Sequence, residues 1–424
     1  LMPVHAVTVI LLILLSCLTC LSSASFAPTA RLPPLLQFVN GTSVKTTAQW
    51  VARKAEIRNL FIANFIGTFP NEVPKITSIA TISSIPFRGG TSKTIQLSFD
   101  THNNASFTME VMMPDGDGPF PVFMTQTTHR RWALVAFSRG YIGVVYPGAD
   151  NDDQTDVFQK AYPLATWGTI SRRAWLGMRA LDYILTLPQT DKTSVGITGH
   201  SRNGKQSVIA TALDERITAV VSSSAGVPAS SAYRFSGRTH FSEAPSDFLD
   251  HWFLESLRDF TGRENELPID ANGWLGLISP RHCLLADAYN DHEGDTTFAV
   301  EKNYLSGQNA YRFQNAEDNL RILWRRGDHH GFIDADDYID WFDLAFKRNP
   351  LITIDDFPEI LLHHFDWPTW SKTQKETKPP SGSSKKEIIQ WFLGKEPPMG
   401  LTPGGTYTAE WPYVTSLLRR DSGV

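Results

Sequence analysis

The sequence predicts an α/β protein, a three-layer α/β/α sandwich built on a doubly wound, mostly parallel sheet with antiparallel N-terminal strands. Two observations support this fold class. Residues 76–112 alternate apolar and polar side chains, which is typical of half-buried antiparallel strands. From about residue 121 onward, short and fully apolar segments alternate with helical stretches, which indicates parallel strands covered on both faces.

The individual elements can be assigned in chain order. A helix is predicted from Trp50 to Phe61, because Ile57, Leu60 and Phe61 fall on one side at helical spacing. Three antiparallel strands follow within residues 76–112. The remaining predicted elements are a strand at 122–125, a strand at 141–146, a helix at 170–187, a strand at 194–198, a helix at 202–212, and strands at 219–222, 283–286 and 321–324.

Composition divides the chain into four predicted parts. The uncharged apolar run from Val7 to Leu21 leads into small residues, as in a secretory signal peptide. We therefore expect a secreted, extracellular protein without a membrane span after signal cleavage; an uncleaved anchor is the alternative. The parts are a signal peptide at 1–24, an N-terminal lead at 25–47, a core domain at 48–347, and a C-terminal extension at 348–424 with a polar linker at 372–385.

Charge and composition exclude several classes of function. The 39 basic and 44 acidic side chains give a net charge of −5, which provides no basic surface for a nucleic acid. Three cysteines are too few for a disulfide framework. The triplets beginning at Asn40 and Asn104 fit the glycosylation sequon, which agrees with secretion.

The segment 195–205 carries the strongest chemical signal. A predicted strand leads into Gly199-His200-Ser201, and a predicted helix begins at once. Such a turn raises a serine hydroxyl above the sheet edge and directs the first helical N–H toward a developing oxyanion, as in the nucleophile elbow of α/β-hydrolases. The usual glycine two residues after the serine is replaced by Asn203, and Gly204 follows one residue later.

Two other interpretations fit the same segment less well. Gly199 to Lys205 matches most of a phosphate-binding P-loop, but Gln206 stands where that loop requires Ser or Thr to hold Mg²⁺. Alternatively, Ser201 only caps the following helix. Neither alternative accounts for the histidine and carboxylates downstream.

A serine nucleophile needs a base and an orienting acid, and in α/β-hydrolases the acid precedes the histidine in the chain. His329 follows the last predicted strand between glycines and is the predicted base, with His330 as the alternative. Asp291 follows strand 283–286 and is the predicted acid; Asp287 and Glu293 are the alternatives.

No metal or other cofactor is predicted. The adjacent pair His329 and His330 would point apart on a helix or strand and would not easily share an ion. The acidic segment 150–153 lacks the glycine of a calcium-binding loop, because Thr155 occupies that position. We interpret this segment as a structural loop.

The sequence resembles the glucuronoyl esterases, α/β-hydrolases that cleave esters of 4-O-methyl-glucuronic acid, and especially their bacterial branch. Residues 199–205 match the family's G-x-S-R-x-G-K pattern throughout. Further similarity lies in Trp50 to Pro70, Trp167 to Tyr183, His251 to Phe253, and the segments 267–270 and 277–281.

The resemblance implies roles for individual residues. Ser201 would be the nucleophile, His329 the base and Asp291 the acid, at the position used in the bacterial branch. The fungal position for the acid is near Ser224, which cannot serve. The remaining implied roles are donation to the oxyanion by Arg202 and contact with the sugar by Lys205, Glu243 and Glu293, the last standing where many members have a tryptophan.

We therefore predict a secreted serine esterase that acts on carbohydrate carboxylic esters, with uronate esters of plant or algal polysaccharides as substrates. The alternatives among enzymes are an acetyl-carbohydrate esterase and a prolyl-oligopeptidase-like peptidase, although residues 24–120 are too few for the propeller that such peptidases usually carry. A catalytically inactive hydrolase used as an extracellular binding module is the alternative outside them.

Overall fold

The computed structural model describes residues 31–87, 89–235, 252–260, 263–291 and 297–362. Nine strands of the described residues form one sheet. The strands are β1 (Ile76–Phe87), β2 (Gly90–Phe99), β3 (Ser106–Pro114), β4 (Phe120–Gln126), β5 (Ile142–Tyr146), β6 (Thr190–His200), β7 (Ala219–Ser223), β8 (His282–Ala288) and β9 (Leu320–Arg325).

The order of the strands confirms the predicted fold class. Across the sheet it is β1-β2-β3-β5-β4-β6-β7-β8-β9. β1, β2, β3 and β5 pair antiparallel, whereas every pair from β5 to β9 is parallel. The connection reverses direction between β4 and β6, and such a switch point opens a crevice at the carboxyl ends of the strands.

Helices cover both faces of this sheet. They are α1 (Thr47–Phe61), α2 (Arg130–Ser138), α3 (Asp156–Ala161), α4 (Thr169–Ile184), α5 (Arg202–Leu213), α6 (Asn272–Ile278), α7 (Thr297–Phe313) and α8 (Ala335–Ala345). Trp274 of α6 stacks on Phe61 of α1 with 3.4 Å between ring centroids, within the larger of two hydrophobic clusters on the sheet. Phe342 of α8 belongs to the cluster on the other face and meets Phe123 of β4. The molecule is thus an α/β/α sandwich.

Helix α1 begins where the sequence provides a cap. The Thr46 hydroxyl accepts from Gln49 N, and the Gln49 side chain in turn accepts from Thr46 N. This reciprocal arrangement satisfies two backbone donors that a helix start leaves without partners. Trp50, Ile57 and Phe61 are buried, as the predicted amphipathic pattern requires.

The burial of the first strand and the number of helices differ from the sequence prediction. The alternation assigned to the first strand does not bury its apolar residues: Ile79 is 52% exposed, because β1 is the edge strand and lies beyond the helices. The helices α2, α3, α6 and α8 were not predicted, and neither was the long helix α7. Its buried face includes Glu301, Asn303 and Gln308, and these polar residues obscure the apolar periodicity.

The packed chain continues past Lys347. Phe357 is 4% exposed against Trp341, and Trp324 Nε1 donates to Ile360 O at 2.8 Å. The predicted signal peptide at 1–24 and linker at 372–385 lie outside the described residues. Within the described ranges, no helix combines the length and apolarity needed to cross a membrane.

Candidate active site

Ser201 is the single residue between β6 and α5. Its backbone has φ 58° and ψ −127°, a conformation that side-chain-bearing residues rarely adopt and that costs about 1–3 kcal/mol. Two hydrogen bonds hold it there: Ser201 N donates to Ser223 O at 2.9 Å, and Lys205 N donates to Ser201 O at 3.0 Å. The hydroxyl makes no capping bond to the helix, which contradicts the interpretation of Ser201 as a simple cap.

Two glycines allow this turn to form. A Cβ on Gly199 would lie 2.5 Å from Asn203 O, and one on Gly204 would lie 2.9 Å from Gly199 O. The helix therefore crosses the strand too closely for side chains at either position. Gly204 allows the close contact between helix and strand that the second glycine of the motif normally allows. Asn203 can therefore occupy the usual position of that glycine.

The predicted base and acid meet beside this turn. His329 Nδ1 and Asp291 Oδ2 are 2.7 Å apart, and both side chains are at least 95% buried. Asp291 follows β8 and His329 follows β9, and these parallel neighbours end at the same edge of the sheet. The His329 ring lies 4.5 Å from the ring of His200, the residue that precedes Ser201.

His329 and His330 differ in burial: His330 is exposed, whereas His329 is 4% exposed. The bond from His329 to a carboxylate favours it as the base, and this choice stays a prediction. Asp291 provides this carboxylate. Asp287 is fully buried and is the penultimate residue of strand β8.

Arg325 fixes the loop that carries His329, and sequence reasoning did not identify it. Its Nη2 donates to His329 O at 3.0 Å and to Ser224 Oγ at 2.7 Å, and Nη1 donates to Gly331 O. A buried guanidinium with several oriented donors is well suited to define a loop conformation. The sequence signal that could have identified Arg325 is its position as the last residue of β9.

His129 links the loop after β4 to the serine turn, and it was also missed. Its Nε2 accepts from His200 N and from Asn203 Nδ2, each at 3.2 Å, and its ring stacks on Trp132. Burial lowers the pKa of His129 to about 4. The imidazole is therefore neutral near pH 7, as a hydrogen-bond acceptor must be.

Arg202 begins α5 and extends toward solvent. Its guanidinium is bound to Asp150 and lies 4.9 Å from the centre of the Trp252 ring. The other oxygen of Asp150 accepts from Arg173 Nη1 at 2.8 Å. One carboxylate thus joins a buried arginine of α4 to Arg202, which gives the 150–153 loop the structural role predicted for it.

Lys205 does not point toward solvent in this structure. Its side chain is 1% exposed, and Nζ donates to Ala225 O. This orientation disfavours the P-loop interpretation, which needs the ammonium directed at a phosphate. A sugar contact through Lys205 remains a prediction and requires the ammonium to turn from Ala225. Glu243 and Glu293 lie outside the described residues.

Three imidazoles form a potential metal-binding group within the described part of the chain. One ligand atom from each of His200, His329 and His330 lies within 4.8 Å of the others. Residues 329–330 form an irregular turn and not the helix or strand on which adjacent histidines point apart. The rings of His329 and His330 are 4.7 Å apart at 73°.

A family model described as glucuronyl esterase of fungi matches residues 95–313, just over half of the chain. The chain belongs to the glucuronyl esterase family. The matched region contains Ser201 and Asp291 and ends before His329.

Curated and solved members of the glucuronyl esterase family are similar to this chain. A 4-O-methyl-glucuronoyl methylesterase of Podospora anserina is 28% identical over 58% of the chain and 52% of its own length. The chain therefore spans about half the length of that curated relative. A glucuronoyl esterase structure from Solibacter usitatus has a TM-score of 0.64 at 21% identity, covering 74% of this chain and 97% of that one.

A third comparison involves a ligand complex. The Sporotrichum thermophile glucuronoyl esterase, as a serine-to-alanine variant with methyl 4-O-methyl-β-D-glucopyranuronate, has a TM-score of 0.62 at 19% identity over 82% of this chain and 95% of that one. These structures establish that the chain shares their fold, the α/β-hydrolase fold. Fungal and bacterial proteins are both among the matches, and assignment to the bacterial branch stays a prediction.

Proposed function

We propose that this chain is a serine esterase that hydrolyses carbohydrate carboxylic esters, with 4-O-methyl-glucuronoyl esters as its substrate class. The observation that carries the proposal is the 2.7 Å bond between His329 and Asp291 beside the strained Ser201 turn. The proposed nucleophile Ser201, acid Asp291 and base His329 follow one another in the chain order of α/β-hydrolases.

The proposed reaction begins with Ser201. His329 Nε2 takes the hydroxyl proton as Oγ attacks the ester carbonyl, while Asp291 holds Nδ1–H and stabilises the imidazolium. Collapse of the tetrahedral intermediate breaks the ester bond, and His329 returns the proton to the leaving alcohol. Water, deprotonated by the same imidazole, then releases the uronic acid and restores Ser201.

The charge that develops on the carbonyl oxygen needs fixed donors. The backbone N–H of Arg202 is at the start of α5, where helical N–H groups have no partner within the helix. We assign the oxyanion to this group, to the Arg202 guanidinium and to an N–H of the loop after β4. Each such donor is typically worth 10²–10³-fold in rate, or about 3–4 kcal/mol.

The sugar specificity is proposed from the family. The Podospora relative is named a 4-O-methyl-glucuronoyl methylesterase, and the Sporotrichum structure contains a methyl glucuronate ester. We extend this chemistry to the present chain, with Lys205, Glu243 and Glu293 as sugar contacts. We propose plant or algal polysaccharides as the source of these esters.

The organisation of the chain is proposed to suit an extracellular substrate. Residues 1–24 are removed as a signal peptide, and residues 48–347 contain the catalytic machinery. Asn40 and Asn104 are exposed in turns, which supports their use as glycosylation sites.

Replacing the nucleophile tests the proposal directly. Ser201→Ala removes the attacking hydroxyl and should lower turnover of benzyl glucuronate by about 10⁴-fold or more. A fluorophosphonate probe should label the wild-type protein at Ser201 and leave the variant unlabelled. Ser138→Ala is the control, because Ser138 is exposed at the end of α2 and should retain full activity.

The outcomes separate the competing functions. Preference for benzyl or methyl glucuronate over acetylated xylan supports the uronate esterase, and the reverse preference favours an acetyl esterase. A wild-type chain that neither reacts with the probe nor hydrolyses any of these esters would indicate a binding module. Retained hydrolysis in Ser201→Ala would overturn the assignment.

A further inference from the structure

Three histidines surround one small space at the carboxyl edge of the sheet. His200 is the last residue of β6, and His329 and His330 lie in the turn after β9. The His200 ring is 4.5 Å from that of His329 and 5.3 Å from that of His330. The proposed reaction uses only His329, so it does not explain the other two.

Hydrogen bonds on the far sides of two rings orient their remaining nitrogens. His329 Nδ1 is bonded to Asp291, and His200 Nδ1 is 3.1 Å from Ser223 Oγ, which is 2.6 Å from Tyr338 Oη. Metal-bound histidines are commonly held in this way, with the second ring nitrogen on a carboxylate or another polar group. Nε2 is then the nitrogen through which each of these two rings would bind a metal ion.

His200 Nε2 is the unusual atom of the group. It is fully buried, has no hydrogen-bond partner among the described residues, and belongs to a side chain of a residue only 4% exposed. A buried polar atom without a partner costs about 1–3 kcal/mol. A metal ion bound at this nitrogen would remove that cost.

Two charged side chains act on the three imidazoles. The Arg325 guanidinium opposes a cation here, while the Asp291 carboxylate behind His329 favours one.

We propose that His200, His329 and His330 bind one divalent transition-metal ion of the zinc type, with three imidazole nitrogens and an open fourth position. Zinc lies about 2.0–2.1 Å from imidazole nitrogen, so two ligand atoms are at most about 4.2 Å apart. The three ligand atoms, which lie within 4.8 Å of one another, must therefore move closer together when the ion binds. We expect the side chain of His330 to make this movement, because it is exposed on its turn.

Occupation of the site has a functional consequence that depends on the proposed esterase. The ion takes the Nε2 lone pair of His329, and this nitrogen can no longer accept the proton of Ser201. Zinc therefore inhibits hydrolysis reversibly, and a chelator restores it. Binding itself requires no esterase activity.

The test measures binding and activity separately, on protein freed of metal with a chelator. Titration with Co²⁺ should give the visible absorption of a tetrahedral nitrogen site at one ion per chain, displaced by Zn²⁺. His330→Gln should weaken binding at least tenfold, keep the metal-free esterase rate and resist zinc inhibition. His102→Gln, a change at an exposed histidine on the β2–β3 turn, is the matched control.

The possible failures are distinguishable. Equal Co²⁺ binding by the wild type and His330→Gln, or no binding by the wild type, would overturn the metal site. Ser201→Ala should still bind one Co²⁺, so an inactive wild-type chain that binds the ion would refute the esterase and leave the site standing. Zinc binding without inhibition of an active esterase would overturn the functional consequence.

Discussion

Individual side chains at the site are placed by partners far away in sequence. Arg202 is the clearest case, because its guanidinium is about 43% exposed and would be mobile without Asp150 and Trp252. Asp150 is itself held by Arg173 through its other oxygen. We infer that Asp150 is a positioning residue for Arg202, the proposed oxyanion donor.

Asp150→Asn should weaken this hold while it preserves the shape of the side chain. We expect kcat for benzyl glucuronate to fall about tenfold with a smaller change in KM, because the guanidinium contact is strongest in the transition state. Asp156→Asn is the matched control, since Asp156 is 86% exposed and 3.7 Å from Arg172. A loss confined to KM, or equal losses in both variants, would contradict this role.

The elements at the site depend on close backbone approach between β6 and α5. This is a property of the pair, because neither element alone requires glycine at 199 or 204. The strained conformation of Ser201 persists only if both glycines let the helix pack against the strand.

Gly204→Ala should therefore destabilise the protein by about 1–3 kcal/mol, since the new Cβ meets the Gly199 carbonyl at 2.9 Å and the Ser223 carbonyl at 3.2 Å. The measurement is the free energy of unfolding in urea, together with the esterase rate. Gly276→Ala is the control: its Cβ would meet the flexible end of Leu35 at 3.2 Å, and a helical alanine gains about 1 kcal/mol over glycine. Equal stability of the two variants would refute the close-approach argument.

Prediction of the elements from sequence succeeded for the short apolar strands and missed five helices, α2, α3, α6, α7 and α8. The short strands β4 to β9 were found, because each is an apolar segment covered on both faces. Helix α7 was missed, since Asn303 is buried yet donates to the carbonyls of Ala229 and Ser230. The hydrogen-bond partners of these buried polar side chains are backbone groups far away in the sequence, and the local residue pattern does not reveal them.

At the scale of the whole molecule, the segment after Lys347 belongs to the packed domain. Tyr304 Oη donates to Glu359 at 2.6 Å, and Leu362 N donates to Glu301. The segment covers the end of the sheet near β9, whose loop carries His329. Its packing therefore supports the site indirectly.

Phe357→Ala should lower the free energy of unfolding by about 3–5 kcal/mol, because it leaves a cavity against Trp341. Thermal or urea unfolding measures this change. Leu351→Ala is the control, since Leu351 is 85% exposed and its loss should change stability by about 0.5 kcal/mol or less. A Phe357→Ala protein as stable as the control would place the domain boundary near Lys347 after all.

The sequence by itself determined the serine turn and the strand ends that lead to it. Those features depend on residues close together in the chain, such as Gly199 and Gly204 around Ser201. Tertiary structure alone showed that His329 is buried against Asp291, that His330 is exposed and that Asp287 lies within β8. It alone revealed the contacts of Arg325, His129 and His200. These contacts depend on which loops pack against each other at the sheet edge, and adjacent residues with the same chemistry differ there only in burial and hydrogen bonding.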